Sequence, residues 1–376
     1  MARSGAPPRL AAIAALNLIG LLAALLLGEA AVRLLRLGPL PLTVFEPHPR
    51  RMFTLSPGKE ALFVGEEFAT EVRIGPDGLR HPALLPAEEA PQPRILALGD
   101  SFTFGYGVEA EESWPARLEA RLRATGFPVA EVINAGVVAY APDQELDLLR
   151  ELLPRVRPDL VIVGLYIGND PAEVLLHRSA PPMQVSPEGA LLENPTDGDL
   201  HPGFVRGWLA AHSRLYALAR VRSHRLLVAL GLREAPAHFH AGYFLDALGY
   251  TDAYSENWSV LEGIVTEMAR ESRSAGAKFL LAVIPMDVQV SDRYWKHYRR
   301  LGFTLLPALL SDDLPQARVR AFAARAGIMT LDLLPVLRAH RDGPLLFSRN
   351  PHWTPAGQEE AATALAPAVR ILLSTE

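Results

Sequence analysis

The sequence predicts an α/β fold, a parallel sheet covered by helices on both faces, preceded by one transmembrane helix at the N-terminus. Short, continuously apolar segments alternate with helical segments from residue 94 onward, which is typical of buried parallel strands. An apolar run from Leu10 to Leu27, broken only by Asn17, comes before them. With 376 residues, 49% of them hydrophobic and 21% charged, the chain can bury a large core, which excludes a disordered protein.

The N-terminal run is long enough to cross a membrane as a helix. Residues 10–27 would rise about 27 Å, close to the ~30 Å hydrocarbon core of a bilayer. Arginines flank the run on both sides, so the positive charges hardly discriminate between the two orientations. We expect an uncleaved anchor that leaves the body of the protein outside the cytoplasm. A signal peptide cleaved after Gly28-Glu29-Ala30 and a buried soluble helix are the alternatives.

The strands and helices of the main domain follow from local patterns. Continuous apolar residues bounded by turn residues predict five strands: Ile95–Leu98, Val129–Ile133, Leu160–Leu165, Lys278–Ile284 and Ile328–Leu331. Apolar residues at helical spacing, or a proline suited to a first turn, predict the helices: Ser113–Ala124, Pro142–Leu153, a helix from Glu256, and Pro355–Leu372. In such a sheet the functional residues should lie beyond the carboxyl ends of the strands.

Changes in composition divide the chain into segments. We predict an N-terminal anchor or signal segment (1–37), a short strand-containing lead-in (38–93), a first part of the main domain (94–172), a partly helical insertion (173–255) and a second part of the main domain (256–376).

Three local features fall inside these segments. The lead-in holds a strand, Glu71–Ile74, before a turn, and the insertion holds a helical stretch, Trp208–Leu232. The segment Asp287–Leu310 forms a second irregular excursion. Its aromatic residues either pack between the insertion and the sheet or contact a substrate: Tyr294, Trp295 and Tyr298.

Composition excludes several classes of function. A net charge of −5 and a sequence pI near 6.1 leave no electrostatic surface typical of a nucleic-acid-binding protein. The absence of cysteine excludes disulfides, thiolate zinc sites and a cysteine nucleophile. No phosphate-binding loop is present, and we expect no cofactor and no metal. The spacing of the histidines in the insertion matches no metal site: His177, His201, His212, His224, His238 and His240.

Two motifs suggest nucleophilic chemistry. Gly99-Asp100-Ser101 ends the first strand of the main domain, where a serine hydroxyl can be exposed beside backbone amides that bind an oxyanion. His352 lies in a loop before the last helix, from which it could reach that serine as a base. Either motif alone would be weak evidence.

Taken together, four motifs resemble a known family. They occur in order along the chain: Gly99-Asp100-Ser101-Phe102-Thr103-Phe104-Gly105, Asn134-Ala135-Gly136, Gly168-Asn169-Asp170 and His352. They look like the successive sequence blocks of the SGNH/GDSL hydrolases, serine esterases with a flavodoxin-like three-layer α/β/α sheet. The resemblance covers residues 94–170 and 256–376 and is strongest to bacterial membrane-anchored members with a large insertion, some of whose relatives move acetyl groups on exported polysaccharides.

The resemblance implies a role for each site residue. Ser101 would be the nucleophile and His352 the general base. The backbone N–H of Ser101, the backbone N–H of Ala139 and the side-chain amide of Asn169 would form the oxyanion hole. Asn350 would orient the imidazole of His352.

The chain departs from the family pattern in the third motif, where Gly168 stands directly before Asn169 and not two residues before it, and at two positions of the site. Ala139 stands where the family has a glycine, which keeps the N–H donor but adds a methyl group. The family's aspartate two or three residues before the histidine is replaced by Asn350 and Arg349. An amide can orient an imidazole but cannot supply negative charge, and Asp→Asn in a serine protease triad costs about 10⁴ in kcat. The resemblance gives Asp100 a structural role in the turn.

We therefore expect a serine-dependent hydrolase of ester bonds, an esterase or deacylase, that passes through an acyl-Ser101 intermediate. The alternatives are an O-acyltransferase acting on a cell-surface glycan and a non-catalytic glycan-binding or assembly protein that lost the acid. The expected substrate is an ester-bearing small molecule, lipid or glycan, and nucleic acid is not an expected partner. The expected location is the bacterial inner membrane, crossed once, with the catalytic domain in the periplasm or outside the cell.

Overall fold

The computed structural model describes residues 8–174, 183–193, 200, 202–229 and 240–374. Its strands are β1 (Phe45–His48), β2 (Met52–Leu55), β3 (Glu60–Val64), β4 (Ala69–Arg73), β5 (Arg94–Gly99), β6 (Glu131–Gly136), β7 (Leu160–Tyr166), β8 (Met183–Val185), β9 (Leu191–Glu193), β10 (Lys278–Ile284) and β11 (Met329–Asp332).

The helices of the first half are α1 (Pro8–Leu34), α2 (Ser101–Phe104), α3 (Trp114–Ala124), α4 (Pro142–Val156), α5 (Asp170–Glu173), α6 (Phe204–His212) and α7 (Arg214–Ala229). Those of the second half are α8 (Tyr243–Ala247), α9 (Ser255–Ser274), α10 (Asp287–Val290), α11 (Trp295–Arg300), α12 (Ala308–Ser311), α13 (Leu314–Arg325), α14 (Leu334–Ala339) and α15 (Pro355–Ser374).

The central sheet confirms the predicted fold class. Its five strands lie in the order β11-β10-β7-β5-β6, and every neighbouring pair is parallel. Counted along the chain this is the flavodoxin-like order 2-1-3-4-5. Helix α3 packs against α15, and α4 packs against α9, which supplies the two helical layers. Every residue of β5, β6 and β7 is buried as a result.

The carboxyl ends of β5, β6 and β7 meet at one edge of the sheet. In this row Gly99 pairs with Gly136 on one side and with Gly164 on the other. A Cβ atom on Gly99 would lie 2.2 Å from Thr103 Oγ1, and one on Gly136 would lie 2.2 Å from the backbone N of Phe104. Glycine is required at these positions because α2 lies directly on the ends of the strands.

The predicted boundaries of most elements are close to the observed ones, and one strand is displaced. Val129 lies in the turn before β6, which begins at Glu131 and continues to Gly136. The apolar run suggested an earlier start because Val129 is apolar, yet its side chain is 56% exposed. The strand extends further because the backbone of Asn134-Ala135-Gly136 continues the ladder with β5.

The lead-in forms two antiparallel hairpins, β1–β2 and β3–β4. The strand predicted at Glu71–Ile74 is β4. Phe53 and Val72 from these hairpins are buried in the same hydrophobic core as the central sheet. The lead-in is therefore packed onto the main domain, with consequences for the active site.

The insertion and the N-terminal helix lie together. The helix predicted over Trp208–Leu232 is two helices, α6 and α7, because Ser213 between them has extended backbone angles. Residues 230–239, including Leu232, lie outside the described residues. Helix α1 is long and apolar enough to span a membrane, and its apolar side chains are exposed. It contacts α7 near its C-terminal end.

Candidate active site

The proposed nucleophile lies at the first position of α2. Asp100 caps this short helix, since its carboxylate accepts a hydrogen bond of 2.9 Å from the backbone N–H of Phe102. Helix α2 ends after one turn at Gly105, whose φ of +83° is in the left-handed region that favours glycine. Ser101 is 8% exposed, so its hydroxyl is held in a defined position at the edge of the sheet.

The loop between α14 and α15 carries His352. It is a tight loop, in which the backbone N–H of Phe347 donates to the carbonyl of His352 at 3.1 Å and that of Thr354 donates to Leu345 at 2.9 Å. Pro355 then begins α15, as predicted. The fixed start of this helix sets the position from which His352 reaches Ser101.

Three side chains form a continuous hydrogen-bonded chain. Nε2 of His352 lies 2.6 Å from Oγ of Ser101, and Nδ1 lies 2.5 Å from Oδ1 of Asn350. The backbone N–H of His352 also donates to the same Oδ1 at 3.1 Å. Because a backbone N–H can only donate, its partner on Asn350 is the amide oxygen, and the ring nitrogen that faces this oxygen acts as a donor. The imidazole then carries its hydrogen on Nδ1, which leaves Nε2 free to accept the Ser101 proton.

Two aromatic rings enclose the imidazole. Tyr106 stacks on it with a centroid distance of 4.2 Å, and Phe102 lies on it at 5.0 Å. Burial lowers the pKa of His352 to about 3. Within the part of the chain that the structure describes, no carboxylate is hydrogen-bonded to the ring to oppose this effect, so the imidazole of His352 is unprotonated throughout the physiological range.

Asn350 is itself positioned by the lead-in. The carboxylate of Glu67, in the turn between β3 and β4, accepts hydrogen bonds from the backbone N–H of Ser348 at 3.0 Å and of Arg349 at 2.7 Å. The side chain of Arg349 lies 3.6 Å from the carboxylate of Glu66. Glu67 could not be identified from the sequence, because nothing in its local pattern shows that this turn meets a loop some 280 residues away.

Two further residues that the sequence analysis missed hold α2 in place. Arg80, which is 4% exposed, donates to the carbonyls of Phe104 at 3.0 Å and of Gly105 at 2.6 Å. Gln358 of α15 accepts from the backbone N–H of Trp114 at 2.7 Å and donates to the carbonyl of Phe102 at 3.4 Å. Gln358 thereby ties the helix after His352 to the helix that carries Ser101. The sequence signal that could have indicated this role of Gln358 is a polar residue at a core-facing position in the first turn of an amphipathic helix.

The residues expected to form the oxyanion hole follow three neighbouring strands. Ser101 follows β5, Ala139 follows β6 and Asn169 follows β7. Ala139 has a φ of +62°, which lies in the left-handed region that favours glycine, although alanine occupies the position. Nδ2 of Asn169 donates to Glu173 at 3.0 Å. Oδ1 of Asn169 is buried and has no hydrogen-bond partner among the described residues.

A buried carboxyl cluster lies beneath α2. It consists of Asp100, Glu145 of α4 and Asp170 of α5, each at most 1% exposed. Burial raises the pKa of Asp100 to about 7. Burial, followed by repulsion from the other carboxylates, raises the pKa values of Glu145 and Asp170 well above the ordinary range. The cluster therefore retains protons at neutral pH, and Asp100 contacts Ser101 at 3.5 Å instead of serving His352 as an acid.

A cleft of about 370 Å³ opens beside Asn350. Its walls are mostly apolar, with charged residues at one side: Pro39, Leu40, Pro41, Phe63, Val64, Gly65, Glu66, Glu67, Phe68, Tyr106, Val221, His297, Arg349 and Asn350. A larger cavity of about 560 Å³, lined by Trp295, Arg299 and Leu310 among others, includes none of the site residues. Of these two, the smaller cleft is lined by Asn350 and by Tyr106, the residue stacked on His352, whereas Ser101 and His352 do not line it.

The remaining predicted candidates have structural contacts. Tyr298 donates its hydroxyl to Asp287 at 2.7 Å and Trp295 donates its indole N–H to the carbonyl of Val288 at 2.9 Å, so both pack within the second excursion. Of the insertion's histidines, His177, His201 and His238 lie outside the described residues. Among the described residues, no group of three or more histidine, aspartate or glutamate side chains could hold a metal ion.

Comparison with known proteins gives consistent matches. The model of the GDSL-like Lipase/Acylhydrolase family matches residues 97–360. The chain is 37% identical over 119 residues to the probable alginate O-acetylase AlgJ of Pseudomonas aeruginosa, which covers 31% of this chain and 27% of that protein. It is 28% identical over 151 residues to the esterase TesA of the same species, which covers 39% of this chain and 74% of that protein.

A crystal structure of TesA covers 74% of this chain and 99% of its own, with 17% identity and a TM-score of 0.40. The chain matches only 27–30% of the length of the alginate O-acetylases.

Proposed function

Because the chain belongs to the GDSL-like lipase/acylhydrolase family, we propose that it is a serine-dependent ester hydrolase in which Ser101 is the nucleophile, His352 the base and Asn350 the orienting group. The observation that carries this proposal is the hydrogen-bonded chain from Ser101 Oγ through His352 to Asn350 Oδ1. It fixes the tautomer that a base requires, which a merely structural histidine would not need.

The reaction follows from this geometry. Oγ of Ser101 attacks the carbonyl carbon of the ester while its proton passes to Nε2 of His352. The tetrahedral oxyanion is stabilised by the N–H groups of Ser101 and Ala139 and by the amide of Asn169. The intermediate collapses, and the leaving alcohol takes the proton from Nε2. Water then attacks the acyl group with His352 again as the base, which releases the acid and restores Ser101.

The location proposed for this activity is the outer side of a bacterial inner membrane. Helix α1 would cross the membrane once and leave the catalytic domain in the periplasm or outside the cell. Its length, its composition and its exposed apolar side chains support an anchor. An ester-bearing small molecule, lipid or glycan could enter the cleft beside Asn350, whose apolar wall suits an acyl or alkyl group and whose charged side suits a polar one.

A second candidate function is O-acyl transfer to a cell-surface glycan. It is favoured by the matches to three alginate O-acetylases, which cover about a third of this chain. The chemistry as far as acyl-Ser101 is the same, and a sugar hydroxyl replaces water in the second step. A glycan that increases acetyl-ester turnover and becomes acetylated itself would indicate the transferase.

Labelling with a fluorophosphonate probe tests the proposal. The full chain in detergent should form a covalent adduct at Ser101 and hydrolyse a chromogenic acetate ester. Ser101→Ala should lose both properties, whereas Ser259→Ala, which removes an exposed serine hydroxyl on α9, should keep both. If the wild-type chain neither labels nor turns over any ester or acyl donor, the non-catalytic glycan-binding alternative takes its place.

A further inference from the structure

Helix α6 exposes a stripe of apolar side chains on one of its faces. Phe204, Val205 and Trp208 are 87%, 68% and 53% exposed. At 100° per residue these three positions fall within about 100° of one another on the helix surface. We call them the α6 stripe. Such a concentration of exposed large apolar residues on one short helix usually marks a contact surface.

The position of α6 along the protein is fixed by one carboxylate of α1. Glu29 accepts hydrogen bonds from the backbone N–H of Arg214 at 3.0 Å and of Leu215 at 2.9 Å, and from the hydroxyl of Ser213 at 2.8 Å. It therefore caps the N-terminus of α7 at the corner where α6 ends. Arg33 reinforces this corner by donating to the carbonyl of His212, the last residue of α6, at 2.7 Å.

This corner coincides with the end of the apolar run. Glu29 is two residues beyond Leu27, the last residue of a run that rises about 27 Å, close to the thickness of the hydrocarbon core. When α1 spans a bilayer, Glu29 lies at the boundary between acyl chains and headgroups. The C-terminal end of α6 must then lie at the same depth.

The charges around the stripe are those that suit a phospholipid surface. Helices α6 and α7 contain five arginines and no aspartate or glutamate between residues 204 and 229. One of these arginines, Arg206, is on α6, and the other four are on α7. Tryptophan and phenylalanine on one face of a helix that has basic residues nearby are typical of helices that lie in the membrane interface. Helix α7 contacts both α6 and α1, so the helix that carries the stripe is joined to the anchor through α7.

We propose that α6 lies in the headgroup layer of the membrane that α1 spans, with Phe204, Val205 and Trp208 facing the acyl chains of anionic phospholipids. This inference rests on the anchor role proposed for α1. It gives the protein a second membrane contact, which fixes the tilt and rotation of the catalytic domain. The cleft beside Asn350, lined by Pro39–Pro41 just after α1 and by Val221 of α7, is then held close to the bilayer surface and can receive esters that reside in it.

Quenching of tryptophan emission by brominated lipids tests the inference. The other four tryptophans, 114, 258, 295 and 353, are at most 6% exposed. The full wild-type chain and Trp208→Phe are each reconstituted in bilayers that contain phosphatidylglycerol. The difference between their emission then reports on Trp208. We expect this difference to be lost in bilayers brominated at shallow acyl positions and to be less affected by bromines near the bilayer centre.

A second probe separates this inference from the anchor. Ile19→Trp, made in the Trp208→Phe background, lies near the middle of the apolar run and should be quenched most by the deep bromines. If the tryptophan at residue 19 is quenched and Trp208 is not, the α6 inference is wrong and the anchor role of α1 stands. An unquenched Trp208 with blue-shifted emission would indicate that a second copy covers the stripe and would also overturn the α6 inference. If the probe at residue 19 is unquenched as well, the anchor role fails and the inference fails with it.

Discussion

The replacement of Asn350 by aspartate tests how the proposed base operates. In the wild-type chain burial lowers the pKa of His352 to about 3, and its partner is a neutral amide at 2.5 Å. The imidazole is then unprotonated throughout pH 5–8. We expect kcat/KM for a chromogenic acetate ester to show no decrease in this range that is due to His352.

The expected change can be estimated from Coulomb's law. A carboxylate about 4 Å from the centre of the imidazolium charge contributes about 4 kcal/mol at an effective dielectric constant of 20. At 1.36 kcal/mol per unit, this energy raises the pKa of His352 by about three units, to near 6. Because the transition state carries the imidazolium, Asn350→Asp should also raise kcat. An energy of about 4 kcal/mol corresponds to an increase of up to about 10³. The increase should not exceed the ~10⁴ known for the reverse change in protease triads.

The assay is the pH dependence of kcat/KM for three variants of the full chain. Asn350→Asp should be faster at pH 8 and should lose activity below about pH 6. Asn350→Ala should be slower than the wild-type chain, because it removes the hydrogen-bond acceptor of His352. It should show no loss of activity near pH 6, because it adds no charge. A contribution from Asp100, whose pKa burial raises to about 7, would appear equally in all three. An Asn350→Asp variant whose activity falls with pH in the same way as that of the wild-type chain, with no added loss near pH 6, would refute the reasoning.

Three further predictions concern the surroundings of the site. Asn169→Ala should lower kcat by about 10²–10³ with little change in stability, measured by steady-state kinetics and thermal unfolding, and unchanged turnover would remove Asn169 from the oxyanion hole. Glu67→Gln should lower kcat about tenfold, equivalent to about 1.4 kcal/mol, because it weakens the hydrogen bonds that hold the loop before Asn350. The neighbouring substitution Glu66→Gln serves as the control and should have a smaller effect on kcat. The raised pKa of Glu145 means that the wild-type chain loses stability as pH rises above the unfolded-state pKa near 4.5, by up to ~1.4 kcal/mol per pH unit. Glu145→Gln should flatten this dependence between pH 5 and 8 in chemical denaturation, and an unaltered slope would contradict the buried cluster.

The sheet and the ends of its strands could be predicted from sequence because each depends on local signals. The continuous apolar residues of β7 and β10 are typical of buried parallel strands, and Lys278–Ile284 was predicted with its observed boundaries. The positions of Ser101 and Asn169 follow from where β5 and β7 end. Their proposed roles depend on the family resemblance as well.

The residues that hold α2 and the Asn350 loop in place could not be predicted, because they come from distant parts of the chain. Arg80 and Glu67 lie in loops with no periodic pattern, and their partners are carbonyl and N–H groups that leave no trace in the sequence. The break between α6 and α7 at Ser213 is stabilised by the hydrogen bonds that Glu29 accepts there. Local propensity alone favours one continuous helix there, since leucine, alanine and arginine are all good helix formers.

The separation of Ser101 and His352 along the chain has a consequence for biosynthesis. These residues are 251 positions apart, yet their side chains meet at 2.6 Å. Closing a loop of that length costs about 5 kcal/mol of chain entropy, which has to be recovered by packing of the terminal helix. A nascent chain that emerges N-terminus first holds its serine long before its histidine, and β10, β11 and α15 must all be synthesised before the two can meet. On the proposed mechanism, hydrolytic activity would arise only after α15 has folded, and we expect a chain truncated before α15 to be inactive.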